Sequence, residues 1–436
     1  MSILNPQFSI RALREVAIFL AFLALAVALT WPLAIRLPTA VPDLGDPLLN
    51  AWIIDWVGYA LTHKPLDLFH APIFHPAQMP LAFSENLIGV ALFAIPFQLA
   101  GVAPLTVYNI MFLLGFAHAA YGAFVLARVV TGSTLPSIVA GIFFGFVSYK
   151  FAHLSHLQII WSGWLPLILA AVIAYWRRPA MGRAALVFAA FVMNGLTNIH
   201  FLFFGGTGVV VAIAALGIFR PQRDRRFWLQ LFGSLTLAGL ILLPVLLPYR
   251  HVADLYGMKR QASEVQWGSA EVGDWLYTTT RSRVYGQYQP SEIRHERALF
   301  PGIIPLFLLA AAMVLTRGER AASPALRAVV TGGAARAPLL HILDVLIVLC
   351  AALLWFGNVT ERFVITWNDR NLLEMRGTGI AGMVLAISLL VRLLIRFPLA
   401  LGGARGRSLR TAVADSRFSP EAWAAFTWLI LGFIGS

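Results

Sequence analysis

An all-α, polytopic transmembrane helix bundle is the fold class that this sequence predicts, and three observations predict it. Of the 436 residues, 59% are hydrophobic and only 12% charged, with a mean hydropathy of +0.76. A water-soluble core has no use for that much apolar sequence. Many of the apolar runs reach the length of about 20 residues that a helix needs to cross a bilayer. Finally, the 33 basic residues, set against 20 acidic ones for a net charge of +13, gather in short segments between those runs. That is how topology signals are distributed, and it excludes nucleic acid as the partner. The one cysteine, Cys350, lies inside an apolar run, so no intrachain disulfide forms.

The first apolar stretch, roughly 15–35, is too long for a signal peptide and has no small-residue cleavage site, so it reads as a permanent span. Arg11 and Arg14 precede it and predict a cytoplasmic N-terminus. An outer loop, 36–104, follows. Near its start three acids cluster in a chain poor in them: Asp43, Asp46 and Asp55. Gly45-Asp46-Pro47 reads as a turn with Asp46 as helix N-cap and Pro47 at the first helical position. The helix it starts would align Leu48, Trp52, Trp56 and Tyr59 on one side, with Asn50 and Asp55 away from it, as suits a Trp-rich helix at the headgroup boundary.

The apolar run 86–101 poses a parity problem. If it crosses, Arg128 and the cluster Arg177 to Arg183 fall outside. If it lies along the interface or re-enters, every basic cluster falls inside. The run is short and carries Pro96, so the non-crossing reading is adopted. Further spans then fall at 105–128, 134–151, 158–176, 184–199, 201–219, 227–248, 299–316, 339–357, 377–396 and 420–436, about eleven in all. Residues 249–298 form a second large outer loop with short helices, and 358–376 another outer segment. The core is expected over 1–316, with additional C-terminal spans over 317–436 behind an Ala/Arg/Gly-rich inner loop, 317–338. The last run stops at Ser436 without a polar anchor, as in a chain that is cut short or continues further.

Four polar sets fall on the outer side: Asp43, Asp46 and Asp55; His75 with Glu85; His153 and His156 beside Gln158; and Asn194, Asn198 and His200. Lys150, Arg281, Arg283, Arg294 and Arg297 add positive charge there. Taken singly, each set is explained as an anchor in the headgroup layer. Their shared side is what sets them apart, because unrelated anchors would scatter over both. Acids and a basic loop beside the bilayer suit a lipid-linked phosphate, with arginine holding the phosphate and a carboxylate acting as base or cation ligand. His118, in mid-span, is a functional candidate by its position. His341 and Asp344 lie near an inner span end, where snorkelling or pairing with arginine explains them.

The motif Gly45-Asp46-Pro47-Leu48-Leu49 followed by Trp52 resembles the bacterial GT-C glycosyltransferase superfamily. So do Leu126-Ala127-Arg128 running to Gly132, the stretch Tyr149-Lys150-Phe151-Ala152-His153-Leu154-Ser155-His156-Leu157-Gln158, and Glu296-Arg297-Ala298-Leu299-Phe300-Pro301-Gly302. The resemblance covers roughly 10–316. It implies a transferase of the bacterial inner membrane that takes sugar from a polyprenyl-phosphate donor and works on the outer face. It also implies an acidic residue of the first outer loop as base or metal ligand: Asp46, with Asp43 as its neighbour. The chain has no contiguous acid pair, so a divalent cation is possible rather than required, and Asp43 and Asp46 are its only candidate ligands here. Binding of donor and acceptor is expected of His75, Glu85, His153, His156, Asn198, His200 and the loop arginines. A transporter or flippase for lipid-linked intermediates would instead favour paired ionisable groups deep in several spans and repeated halves. A non-catalytic scaffold on the same fold would retain the outer polar sets without turnover.

Overall fold

Apolar segments that cannot leave backbone N–H and C=O groups unpaired in lipid fold as helices, and helices dominate here. The computed structural model describes residues 6–219, 221–259, 261–280, 282, 285–289, 295–308, 363–367 and 370–375. These belong to two compact units that divide in sequence between Val265 and Gln266.

The first unit is built from α1 (Pro6–Leu29), α2 (Asp46–His63), α3 (Ile88–Leu99), α4 (Pro104–Thr131), α5 (Thr134–Gly145), α6 (Ser148–Ala152), α7 (Leu157–Ile160), α8 (Trp164–Arg177), α9 (Met181–Thr197), α10 (Ile199–Phe219) and α11 (Arg225–Leu255). Six helical stretches in it are long and apolar enough to cross a membrane: α1, α4, α5 with α6, α7 with α8, α10 and α11. The chain is accordingly a membrane protein. The expected spans 134–151 and 158–176 are each broken, at Phe146–Val147 and at Trp161–Gly163.

Side-chain contacts at the helix ends trace the path. At one end Glu15 of α1 pairs with Arg128 of α4, Arg14 donates to Thr134, and Arg177 donates to the carbonyls of Val129 and Val130. At the other end, Asn109 near the start of α4 donates to the carbonyls of Leu37 and Ala40, just past α1. So α1 and α4 run antiparallel, and residues 30–103 return to the end they left. That agrees with the parity argument for 86–101. The 12 residues of α3 rise only about 18 Å, short of a hydrocarbon core of about 30 Å.

The helix α2 differs from expectation. Its N-cap is Gly45, with Asp46 the first helical residue and Pro47 the second. Trp56 and Asn50 are buried, Trp56 Nε1 donating to the Leu68 carbonyl at 2.8 Å. Asp55 shares the exposed side with Leu48 and Tyr59 instead of lying away from it, because residues 48, 55 and 59 recur at helical spacing. This helix is packed into the largest apolar cluster, together with α3, α4 and α7. It is a core element, not a helix merely resting on the surface.

The second unit contributes short 3₁₀ turns at Val272–Leu276, Gly286–Tyr288 and His295–Arg297. It also has a short antiparallel strand pair, β1 (Phe363–Trp367) with β2 (Arg370–Met375). The spans expected at 339–357, 377–396 and 420–436 lie outside the described residues, as does 309–316 of the span expected at 299–316.

Candidate functional site

The acid stretch and the two-histidine stretch, more than a hundred residues apart in sequence, meet at one end of the bundle. Asp43 accepts a hydrogen bond from Gly45 N at 2.8 Å, closing the turn before α2, and its other oxygen accepts from Ser155 Oγ. Asn50 Nδ2 donates to the Ser155 carbonyl at 3.3 Å. Asp46 Oδ2 lies 3.2 Å from His156 Nε2, and the Asp46 side chain is 55% exposed. His153 and His156 do not share a helix face, because α6 ends at Ala152 and α7 begins at Leu157. They sit on the turn between, with ring centroids 5.3 Å apart, and His153 Nδ1 lies 2.9 Å from the Tyr149 carbonyl. Beneath this corner, Tyr108 is fully buried within electrostatic range of Asp43 and Asp46, its hydroxyl without a hydrogen-bond partner. Asp55 stands apart on the exposed side of α2, where partial burial raises its carboxyl above the usual range.

Glu85 joins a second corner at the same end. Its side chain, only 10% exposed, accepts from Ile199 N at 3.0 Å and lies 2.8 Å from His200 Nδ1. Glu85 thus supplies the anion that the first turn of α10 favours. Asn198 Oδ1 accepts from Phe201 N at 3.1 Å, an N-cap to the same helix, and Asn194 Nδ2 donates to the Phe201 carbonyl at 2.6 Å. Tyr249 of α11 ties in, its hydroxyl donating to the Ser84 carbonyl at 2.8 Å and accepting from Asn86 Nδ2 at 3.2 Å. His75 is exposed on the rim of a small depression that His70, Pro72 and Pro80 also line.

The cations fall differently from expectation. Lys150 is buried, its ammonium donating to the carbonyls of Ile159 and Ile160 and to Ser162 Oγ, so it braces the end of α7 and offers no charge at the surface. Arg297, in the second unit, is held by the buried Asp274 at 2.8 and 2.9 Å and by Glu271 at 3.0 Å. Those acids push its guanidinium higher still. Arg281, Arg283, Arg294, His341 and Asp344 lie outside the described residues. His118 packs between Trp161 and Trp164, with ring centroids 5.0 and 4.7 Å away and neither ring nitrogen hydrogen-bonded. Among the described residues no group of three or more His, Cys, Asp or Glu is placed to hold a metal ion.

Sequence reasoning missed Ser155, Tyr108 and Asn50. Ser155 sat inside the quoted His153–His156 motif, and only its reach to Asp43 marks it out. Comparison of the chain with known protein families, with curated proteins and with solved structures finds no match.

Proposed function

We propose that this chain is a membrane glycosyltransferase that moves a sugar from a polyprenyl-phosphate donor to an acceptor hydroxyl on the outer face of the bacterial inner membrane. In this reading the chain crosses about eleven times with its N-terminus in the cytoplasm, so the arginine-rich end of the bundle faces inward. The observation that carries it is the Asp46–His156 pair: a largely exposed carboxylate at a helix start, braced by an imidazole at 3.2 Å, at the end of the bundle where the polar side chains converge.

The chemistry follows from that placement. The acceptor oxygen attacks the anomeric carbon while the bond from that carbon to the phosphate oxygen breaks, its electron pair leaving on the phosphate. Asp46 takes the acceptor proton, with His156 fixing the carboxylate's direction. Asp43 holds the turn through Gly45 and Ser155, so its part is positioning. Of the four loop arginines expected to grip the donor phosphate, Arg297 is committed to Asp274 and Glu271 instead. A divalent cation, if used, would sit at Asp43 and Asp46.

The test is turnover of radiolabelled polyprenyl-phosphate sugars by the purified full chain. Asp46→Asn keeps the shape and polarity of the side chain but cannot accept a proton, and is expected to lower turnover about 100-fold or more. Full activity in that variant ends the catalytic role of Asp46. Saturable movement of intact lipid-linked sugar across vesicles, with no sugar released by the wild type, favours a flippase instead.

A further inference from the structure

At the arginine-rich end, α11 carries a shallow furrow of about 450 Å³ that its own residues line. Arg225 stands at its mouth, and Leu229, Phe232, Gly233, Leu237 and Leu240 form its walls and floor. These positions recur every three or four residues, so they share one helix face. Gly233 leaves the floor open, since a side chain there would meet nothing within 4 Å, while Leu229, Phe232 and Leu237 stand exposed around it. Trp228 is held beside the mouth, its Nε1 donating to the Gln222 carbonyl at 3.1 Å and its ring stacked on Phe232 at 5.5 Å.

We propose that this furrow binds one anionic phospholipid, its phosphate on Arg225 and an acyl chain lying along the floor at Gly233. Charge argues for it. Arg225, at the mouth, is flanked in sequence by Arg223 and Arg226, all three exposed, against one acid, Asp224, whose carboxylate is already engaged by Arg226 N at 2.9 Å. Length argues for it too. From Arg225 to Leu240 the helix rises about 22 Å, close to half of the 40–45 Å between the outer edges of the headgroup layers. The furrow therefore runs from headgroup level to the bilayer midplane, the reach of one leaflet's lipid, with Trp228 in the interfacial belt. A second copy of the chain, inserted in the same orientation, would bring its own Arg225 to the same level and set like charges together.

The experiment uses the purified full chain in non-ionic detergent, with binding of dioleoyl phosphatidylglycerol and dioleoyl phosphatidylcholine followed by native mass spectrometry. The anionic lipid is expected to bind saturably and about five-fold or more tighter than the zwitterionic one. Arg225→Gln is expected to erase most of that preference. Gly233→Leu is expected to weaken both lipids, whereas Gly206→Leu, at an equally open position on α10, leaves binding unchanged. Equal affinity for the two lipids overturns the proposal, as does an Arg225→Gln variant that keeps the preference. So does a wild-type dimer that Gly233→Leu converts to monomer, which would assign the furrow to a second copy. Arg225 is exposed and outside the packed core, so its variant decides the matter even if leucine at 233 disturbs folding.

Discussion

Asp43 and Asp46 stand three positions apart, and their surroundings give them different work. Asp43 spends both oxygens on its own turn and on Ser155, whereas Asp46 keeps much of its carboxylate open beside His156. A turn-holding acid and an open one are thus separable by geometry even though their sequence context is nearly the same. Arg297 teaches the converse. Its place in a basic loop suggested phosphate binding, yet it neutralises Asp274, whose side chain is 0% exposed. Removing the guanidinium strands that carboxylate, and breaking a buried pair by deleting one partner costs about 3–5 kcal/mol. Arg297→Gln is expected near the lower bound, because Arg297 keeps an exposed edge. Limited proteolysis should show faster cleavage between residues 271 and 297, with Arg297→Lys partly restoring protection. Unchanged cleavage would return Arg297 to the pool of substrate-binding candidates.

Between elements, close packing depends on residues without side chains. Gly122 of α4 lies directly against the Gly163 carbonyl, and Gly163 against that of His118, so α4 meets the corner between α7 and α8 backbone to backbone. Small residues allow this kind of approach where lipid offers no hydrophobic drive to hold helices together. Gly122→Val has no flexible neighbour to displace and should separate the two elements, lowering the melting temperature in detergent by several degrees. Gly182→Val, where nothing lies within 4 Å, is the matched control. Equal melting of the two would mean that the approach of α4 to this corner contributes little. The same packing explains α2, which is gripped by Gln98 of α3, donating to the Ile54 carbonyl at 2.9 Å, and by the Trp56 bond to Leu68.

Across the first unit, two sets of engaged charged groups lie at opposite ends. Arg14, Arg128, Arg177 and Arg183 gather at one end and engage Glu15, Thr134 or helix-terminal carbonyls. Asp43, Asp46, Glu85, His156 and His200 gather at the other. In a Cys350→Ser background, cysteines introduced at Val102 and Leu154 should therefore react from one face of the membrane. Cysteines at Gly132 and Gly182 should react from the opposite face. Val102 and Leu154 labelling from opposite faces would break the antiparallel path of α1 and α4 and, with it, the assembly of the acid–histidine corner.

What the sequence by itself determined is whatever depends on local chemistry and on counting. Apolar run lengths set the helices, the spacing of arginines set which ends go together, and Pro96 with a short run marked α3 as non-crossing. These follow because the cost of burying a charge or an unpaired backbone group in lipid is paid locally, run by run. The tertiary structure alone decided which polar residues are partners. That Asp46 faces His156, that Ser155 holds Asp43, and that Glu85 serves the start of α10 all depend on how distant helix ends are brought together. The same holds for the errors: Lys150 turned inward because the break between α7 and α8 left carbonyls needing a donor, and Trp56 was buried because α3 and the segment around Leu68 cover α2. Periodicity tells which side of a helix is apolar, but only packing tells whether lipid, water or another helix lies against it.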